Sequence, residues 1–417
     1  MERKRIYLCL AHMSEDGAEQ RYVKEAFDTN WVVPLGPNVN GFEKDLEEFV
    51  GQNKRVVALS AGTAAVHLGL LNCGVKPGDE VIVQSFTFCA SSHPITYLGA
   101  TPVFVDSEKD TWNMDPELME EAIKDRVAKT GKTPKAIVPV ALYGMPYKID
   151  RIMEIANKYG IPVVEDAAEG FGSKFNGQVL GTFGKYGVLS FNGNKMITTS
   201  GGGALITENE DEWREIMMYA TQYRESYPYY QHEKIGYNYR MSNICAGIGR
   251  GQMTVVNDHI AHHKHVQALY EDLLKDVKGV TVHSQPATGE YDSNYWLCTI
   301  TLDPSVKIKG QENAYKTIVT GAVGGAAGVI HAASSATTDC QPNDNVEALR
   351  VYLDQAQIEA RPVWKPMHKQ PVYVSAPAYV NGVSEEIFKI GMCLPAGPYV
   401  SDEDVQYIVQ CIKDAII

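Results

Sequence analysis

Long apolar runs are missing from this 417-residue chain, and no stretch approaches the ~20 residues that a membrane-spanning helix needs. Basic residues are outnumbered, with 38 Lys and Arg against 51 Asp and Glu, so the formal net charge is −13. That sign argues against nucleic acid as a partner, because neutralising phosphates requires a basic surface. A small anionic ligand remains compatible with it, since a few local donors can bind one inside an acidic protein.

The eight cysteines are scattered, and no two of them have the CxxC spacing of a zinc ribbon or a thioredoxin-like site. Most stand in apolar surroundings, and we interpret them as packed thiols, including Cys89 in "SFTFCASSH", which could also line a site. The first residues, "MERKRIYLCLAHMSEDG", have too short and broken an apolar stretch for a signal peptide. We therefore expect a cytoplasmic protein.

Strand and helix signals alternate along the chain from about residue 55. Apolar strand segments such as "RVVALS", "DEVIVQS", "TPVFVD" and "IPVVEDAA" are separated by helical segments such as "DPELMEEAIKDRVAK" and "KIDRIMEIANKYG". Continuous Val and Ile runs between helices are typical of strands buried on both faces. The sequence therefore predicts an α/β fold with a mostly parallel mixed sheet flanked by helices.

The chain is too long for one compact core, so we predict two domains. The first is a large α/β domain over residues 1–260, which includes an N-terminal arm. A charged helix near 250–276 leads out of it into a smaller C-terminal α+β domain over residues 261–417. This second domain contains a Gly/Ala-rich insertion at about 306–345.

The segment "SFNGNKMITTSGGG" places Lys195 between two glycine-containing stretches, in a predicted turn between two strands. A phosphate-binding P-loop is excluded, because its pattern GxxxxGK[ST] needs an earlier glycine and a hydroxyl residue where Met196 stands. The segment "GTFGKYG" around Lys185 fails on spacing as well. The alternative is a lysine held in a pocket for covalent chemistry.

Two further features fit such a pocket. Gly62 opens a helix directly after a strand, so its backbone N–H groups, with the Thr63 hydroxyl, could hold a phosphate. Asp166 ends a strand at the carboxyl edge, where open α/β sheets bind ligands. Pyridoxal 5′-phosphate (PLP) uses a phosphate site, a carboxylate for its ring nitrogen and a lysine. Taken alone, Gly62 also fits an ordinary strand-to-helix turn, and Asp166 also fits a helix N-cap. Phe88 is a candidate to cover the cofactor ring, and its alternative is a position in the core.

Four segments together carry a resemblance to a known family: "SAGTAAVHLGLLNCGVKPGDEVIVQSFTFCAS", "VVEDAAEGFGS", "SFNGNKMITTSGGG" and "GYNYRMSN". They resemble the DegT/DnrJ/EryC1/StrS sugar aminotransferases, a branch of the fold-type I PLP-dependent transferases. The likeness runs from "NWVVPLGPNVNGFEKDL" to the C-terminal helix and is weak only at about 306–345. Within the family, the chain looks most like the 4-keto-sugar transaminases of the UDP-N-acetylbacillosamine type.

The resemblance implies roles for individual residues. Lys195 would be the Schiff-base lysine, Asp166 would pair with the pyridinium nitrogen, and Phe88 would stack on the ring. The residues implied at the cofactor phosphate are Gly62, Thr63 and Ser190.

Two further implied positions concern the ring hydroxyl and the partner subunit. Glu169 would lie beside the ring hydroxyl, where many relatives have His or Gln, a departure that fits the bacillosamine-type branch. Asn238 would reach the phosphate of the partner subunit, which implies a homodimer with shared active sites.

The implied reaction moves an amino group from L-glutamate to C4 of a UDP-linked 4-keto-6-deoxy-N-acetylhexosamine, for amino-sugar and surface-glycan biosynthesis. A GDP- or dTDP-linked keto sugar is an alternative substrate. PLP-dependent sugar dehydratases carry histidine in place of the lysine, so Lys195 argues against them. A non-catalytic regulator of the same fold is a further alternative, but such proteins usually add a DNA-binding domain, and no basic helix-turn-helix segment is present at the N-terminus.

Candidate substrate residues flank these motifs, and each has an ordinary packing role as its alternative. They are Tyr237, Arg240, Arg361, Trp364, Lys365 and His368. The "HHKH" run, with His259 four residues before His263, could suggest a metal site. No carboxylate or cysteine partner is evident, so we predict a solvated helix face there and no metal.

Overall fold

The structure is a computed structural model that describes residues 4–315 and 340–417. The elements before residue 255 are, in chain order, α1 (Ala18–Asp28), α2 (Pro37–Val50), β1 (Arg55–Leu59), α3 (Gly62–Asn72), β2 (Glu80–Gln84), α4 (His93–Tyr97), β3 (Thr101–Val105), α5 (Pro116–Thr130), β4 (Ala136–Val138), α6 (Ile149–Tyr159), β5 (Val164–Asp166), β6 (Lys174–Phe175), β7 (Gln178–Val179), β8 (Tyr186–Ser190), β9 (Gly203–Thr207), α7 (Glu210–Ala220) and α8 (Asn243–Met253). The later ones are α9 (Val256–Leu274), β10 (Val280–Val282), β11 (Tyr291–Asp292), β12 (Cys298–Leu302), α10 (Asp344–Gln355), β13 (Arg361–Pro362), β14 (Ala378–Tyr379), α11 (Val383–Ile390), β15 (Gly391–Leu394) and α12 (Asp402–Ala415).

The central sheet has the strand order β1-β9-β8-β5-β4-β2-β3-β14. Its two hydrogen-bonded halves are joined by parallel bridges from Ile137 to Val163 and from Val140 to Asp166. The pairs of β9 with β1 and with β8 are antiparallel, and the other pairs are parallel. The prediction of a mostly parallel mixed sheet in an α/β fold is confirmed.

Buried side chains on both faces of the sheet explain the continuous apolar runs. In β1, β2, β3 and β8 four of five residues are buried, and all five are buried in β9. Helix α3 is likewise buried all round between residues 64 and 70 and packs against β8 and β9. A helix without a polar face is held in the core, and its first turn is thereby fixed at the carboxyl edge of the sheet.

A second hydrophobic cluster forms around the antiparallel sheet β10-β12-β15-β13, which packs with α9, α10 and α12. The boundary predicted at residues 260 and 261 falls inside α9. Ile260 belongs to the cluster of the central sheet, while Val266 and Tyr270 belong to the second cluster. Helix α9 therefore links the two cores as one continuous element.

Two segments depart from the predicted division. The sequence predicts the N-terminal arm in the large domain, but Ile6 packs in the second cluster and its N–H donates to the carbonyl of Gln357 at 2.8 Å. In return, β14 from the C-terminal part adds a parallel strand to β3. A single boundary along the sequence cannot predict either pairing, because each joins residues that are more than 270 positions apart. Most of the predicted insertion, residues 316–339, lies outside the described residues.

Within residues 4–315 and 340–417, none of the helices combines the length and the apolar character required to cross a bilayer.

Candidate active site

A cavity of about 380 Å³ lies where the carboxyl ends of β5 and β8 meet the first turn of α3. Parallel strands bring their carboxyl ends to one edge, so residues far apart in sequence converge there. The lining includes seven of the predicted cofactor residues: Gly62, Thr63, Phe88, Asp166, Glu169, Ser190 and Lys195. The structure thus brings together all of those positions except Asn238.

Lys195 is presented by the connection between β8 and β9. The connection is closed by backbone hydrogen bonds, from Phe191 N–H to the Gly202 carbonyl and from Lys195 N–H to the Asn192 carbonyl, both at 2.9 Å. The Lys195 side chain is 13% exposed, and its Nζ lies 3.3 Å from Oε1 of Glu169. A largely buried amine therefore faces the cavity from a fixed turn.

Asp166 is the last residue of β5 and is buried. Its Oδ2 accepts a hydrogen bond from the Ser91 hydroxyl at 2.6 Å, and its Oδ1 accepts one from the Ala168 N–H at 3.1 Å. Burial raises the pKa of this carboxyl, and the two hydrogen bonds and the charge of Lys195 oppose that rise. The carboxyl group keeps further acceptor capacity toward the cavity, as a partner for a cationic ring nitrogen would need.

Glu169 lies between Lys195 and the backbone of Tyr143. Its Oε2 accepts the Tyr143 N–H at 2.7 Å, while Oε1 faces the lysine amine. Burial raises the pKa of Glu169 as well, and the neighbouring Lys195 charge lowers it in part.

The first turn of α3 has the features of an anion site. Helix α3 has no side-chain cap on its N-terminus, so its leading N–H groups are left for another acceptor. A Cβ placed on Gly203 would come within 2.4 Å of the Gly62 nitrogen, and one on Gly62 within 3.0 Å of the Ser190 Cβ. Glycine is needed at residue 203, where a Cβ would overlap backbone atoms, and the tight packing at Gly62 sets the Thr63 and Ser190 side chains beside the helix N-terminus.

Aromatic side chains flank the opening of the cavity. Phe88 is 48% exposed, so the alternative of a core phenylalanine is wrong. Its ring centre lies 5.2 Å from that of Trp364, and both residues line the cavity. An apolar ring face at this position can cover a planar cofactor or a sugar.

Most of the other candidate substrate residues make contacts within the protein, outside the lining of the cavity. Arg240 is buried against Glu43 and the carbonyl of Ala58, so its predicted contact with cofactor or substrate gives way to a structural ion pair. His368 binds Ser85 and Glu385, and Arg361 pairs with Glu359. Among the six candidates only Trp364 lines the cavity, whereas Tyr237 stacks on Tyr239 and the lining does not include Lys365.

Asn238 is exposed and lies outside the cavity lining, in an isolated antiparallel bridge with Thr221. A role at the phosphate of its own chain is therefore not supported, and the predicted role across a dimer remains a prediction.

The prediction of a solvated face for the histidine-rich part of α9 holds only in part: the His265 side chain is 52% exposed, whereas two other histidines of the helix are covered. His259 and His263 are buried, and their Nδ1 atoms lie 3.2 Å and 3.1 Å from the carbonyl oxygens of Met196 and Tyr295. Burial lowers the pKa of His263 to about 3, so its ring is neutral. Across the described ranges, no group of three or more His, Cys, Asp or Glu side chains is arranged to hold a metal ion.

Two residues at the site were missed from the sequence. Ser91 donates to Asp166, and its only sequence signal was a run of small polar residues after β2 in "SFTFCASSH". Trp296 lines the cavity, and its ring centre lies 3.8 Å from Lys195 Nζ. Trp296 lies 101 positions after the lysine, and no local pattern signals that contact.

Together, the buried lysine, the strand-end carboxylate and the uncapped helix N-terminus fit PLP, because that cofactor joins an aldehyde, a ring nitrogen and a phosphate. On this sheet order they define a fold-type I PLP-dependent transferase. The model of the DegT/DnrJ/EryC1/StrS aminotransferase family matches residues 13–320 and 311–413. The chain belongs to this family, and its cofactor is PLP.

Three similar proteins illustrate the relationship. EpsN of Bacillus subtilis (strain 168), provisionally assigned as a PLP-dependent aminotransferase, is 41% identical and covers 98% of this chain and 95% of its own. GDP-perosamine synthase of Escherichia coli O157:H7 is 34% identical over 98% of both chains. A crystal structure of a family aminotransferase from Brucella abortus is 27% identical, covers 96% of this chain and 95% of that chain, and superposes with a TM-score of 0.81. The chain is accordingly an aminotransferase of the sugar-aminotransferase family.

Proposed function

We propose that this enzyme transfers an amino group from L-glutamate to C4 of a UDP-linked 4-keto-6-deoxy-N-acetylhexosamine. The observation that carries the proposal is the convergence of the Lys195 amine, the Asp166 carboxyl and the uncapped N-terminus of α3 on one cavity. The choice of UDP and of C4 rests on the resemblance of "FNGNKMITTSGGG" and "GYNYRMSN" to the bacillosamine-type branch.

Bound PLP supplies an aldehyde that takes up the amino group and a ring that accepts electrons from the bond being broken. Asp166 would keep the ring nitrogen protonated, and its burial would strengthen that interaction. The first turn of α3, with Thr63 and Ser190, would hold the phosphate. Lys195 would attach the cofactor and, once displaced, would move a proton as a general base and acid.

A proton-moving lysine needs a site that limits water, and the walls of the cavity provide one. Trp296 is buried beside the amine, and Phe88 and Trp364 flank the opening. Bound substrate would cover the exposed face of Phe88. Exclusion of water there strengthens the interactions of the charged groups inside.

A GDP-linked keto sugar is the second candidate. It is favoured by the GDP-perosamine synthase that shares 34% identity over 98% of this chain. Both candidates share the glutamate half-reaction and differ only in the nucleotide and the sugar.

We further propose a homodimer in which Asn238 reaches the partner's cofactor phosphate. Its exposure outside the cavity supports this role, as do exposed apolar side chains before α2 at Trp31, Val32 and Leu35. Sedimentation analysis should give a dimer, and Asn238→Asp should weaken PLP binding. A monomer with full activity would disprove the shared site.

The experiment that tests the function is an absorbance spectrum of the purified chain with PLP, before and after L-glutamate. We expect a band at roughly 400–430 nm, typical of lysine-bound PLP, that disappears with glutamate and is absent in Lys195→Ala. UDP-linked 4-keto sugar should restore the band, and the GDP- and dTDP-linked sugars serve as comparisons. Absence of the band in the wild type would refute the proposed role of Lys195, while a band insensitive to glutamate would indicate another donor or a non-catalytic protein.

A further inference from the structure

We propose that Glu169 and Trp296 form a resting position for the Lys195 amine when it is not bonded to the cofactor, and that Asn294 positions both of them. The inference rests on the proposed role of Lys195, whose amine must leave the cofactor and return in every turnover. In the structure this amine lies 3.3 Å from Oε1 of Glu169 and 3.8 Å from the centre of the Trp296 ring. We call these two contacts the amine seat.

The amine seat suits an ammonium group. A carboxylate on one side and an indole face on the other both attract a cation, and each attraction strengthens where water is excluded. Trp296 is only 2% exposed and Glu169 only 5%. The free lysine therefore has a defined position beside the cofactor site, from which it can return without a search through rotamers.

Each wall of the amine seat is fixed by a specific hydrogen bond. The Tyr143 N–H holds Oε2 of Glu169, which leaves Oε1 for the lysine. The indole N–H of Trp296 donates to the carbonyl of Asn194 at 2.7 Å, so the ring is tied to the residue just before Lys195. The position of the indole ring is therefore coupled to the backbone next to Lys195.

Asn294 joins the two walls. Its side chain is fully buried, and its Nδ2 donates to the carbonyls of Glu169 and Phe171, each at 2.9 Å. Its Oδ1 accepts the Trp296 N–H at 2.8 Å. One side chain thus fixes the backbone of both residues of the amine seat, although it does not itself line the cavity.

The N-terminal arm places a neutral thiol next to the amine seat. Cys9 is buried close to Trp296, and burial raises the pKa of its thiol to about 12. A neutral thiol does not compete with Glu169 for the ammonium charge. The carboxylate and the ring face therefore remain the groups that attract the amine at this position, together with the more distant Asp166.

The test measures the reactivity of Lys195 in the full-length chain prepared without PLP. Reductive methylation with formaldehyde, read by mass spectrometry, gives the labelling rate of Lys195 relative to Lys185, which is 35% exposed. Glu169→Gln and Trp296→Leu should each raise this ratio several-fold, because the amine loses an attractive contact and becomes more available. Asn294→Ser should raise it through displacement of both walls.

Matched controls change the same residue types elsewhere. Trp213→Leu removes another cation–π contact, to Arg55 at 4.6 Å, and Glu347→Gln removes another buried carboxylate, which pairs with Arg350. Both should leave the Lys195 ratio unchanged. If Trp296→Leu does not fold, Trp296→Phe and the isosteric Glu169→Gln still decide the question.

An unchanged Lys195 ratio in Glu169→Gln and in the Trp296 variant would overturn the amine seat. This outcome is separable from failure of the proposed function, because labelling needs no cofactor. Borohydride reduction of the PLP-loaded wild type shows independently whether the cofactor is attached to Lys195. Attachment elsewhere would refute the proposed function and leave the labelling result as a property of the fold.

Discussion

Asp106 and Asp166 are both buried aspartates at the carboxyl edge of the central sheet, yet their surroundings differ. Asp106 follows β3 and accepts four backbone N–H groups, those of Ser107, Asn381, Gly382 and Ser384, at 2.8 to 3.2 Å. Asp166 ends β5 and accepts one hydroxyl and one N–H beside an open cavity.

The difference shows how one residue type serves two purposes at one edge. Three of the four donors to Asp106 come from residues 381–384 at the start of α11, so Asp106 fastens the C-terminal part to the sheet. Asp166 is left with spare acceptor capacity, and its charged form is disfavoured by burial. A buried carboxylate whose hydrogen-bond acceptor capacity is not filled by protein donors is available to bind a ligand.

The largest expected contrast is in catalysis. Asp166→Asn should lower turnover by at least about 100-fold, because a neutral amide cannot hold a proton on the ring nitrogen. The cofactor band should still form through Lys195. Steady-state turnover with glutamate and a keto sugar checks this, with Asp106→Asn as the matched control. Near-normal turnover of Asp166→Asn would remove it from the cofactor role.

The next contrast is in the free energy of unfolding, where the substitution of Asp106 should cause the larger loss. Asp106→Asn places an amide NH₂ against backbone donors that a carboxylate had accepted. We expect a loss of about 2–3 kcal/mol in the free energy of unfolding. Urea denaturation measures it, and the folded fraction should keep its turnover per cofactor site. A loss below about 0.5 kcal/mol would contradict the fastening role of Asp106.

Asp166→Asn should instead stabilise the cofactor-free chain, by about 1 kcal/mol at neutral pH, because an amide is cheaper to bury than a carboxylate. Burial raises the pKa of Asp166 in the folded chain. The contribution of Asp166 to the stability of the folded state is therefore fully present below its unfolded pKa of about 3.9, and it is lost as the pH rises through the folded pKa. The advantage of the variant should therefore grow with pH across that window. Urea denaturation from pH 3.5 to 8 tests it; an advantage that shrinks with pH would reverse the argument.

The smallest effect concerns the hydroxyl that supports Asp166. Ser91→Ala removes the 2.6 Å hydrogen bond and should raise the pKa of Asp166 further. We expect turnover to fall about 2- to 5-fold, the equivalent of one net hydrogen bond. The acidic limb of the pH–rate profile should move upward. Ser92→Ala is the control, because that hydroxyl donates to the Cys89 carbonyl, and an equal effect there would exclude a specific role for Ser91.

Much of the sheet and its two key residues could be predicted because the signals are local. Buried strands alternate with helices, and Asp166 and Lys195 stand at a strand end and in a turn, positions that topology brings to one edge. By contrast, the ion pair of Arg240 with Glu43 joins residues 197 positions apart, and no local sequence pattern predicts it. The buried histidines of α9 were missed for the same reason, because only the packed structure shows which helix face is covered.

Chain order also determines when the site can form. Ile6 is hydrogen-bonded to the backbone of Gln357 and Glu359. During synthesis at about 5–20 residues per second, the arm waits roughly 20–70 s for these partners. Trp296 likewise emerges long after Lys195. Strands β1 to β9 and the reactive lysine are therefore made before Trp296, the partners of Ile6 and β14, and the pocket is complete only when nearly all of the polypeptide has been made.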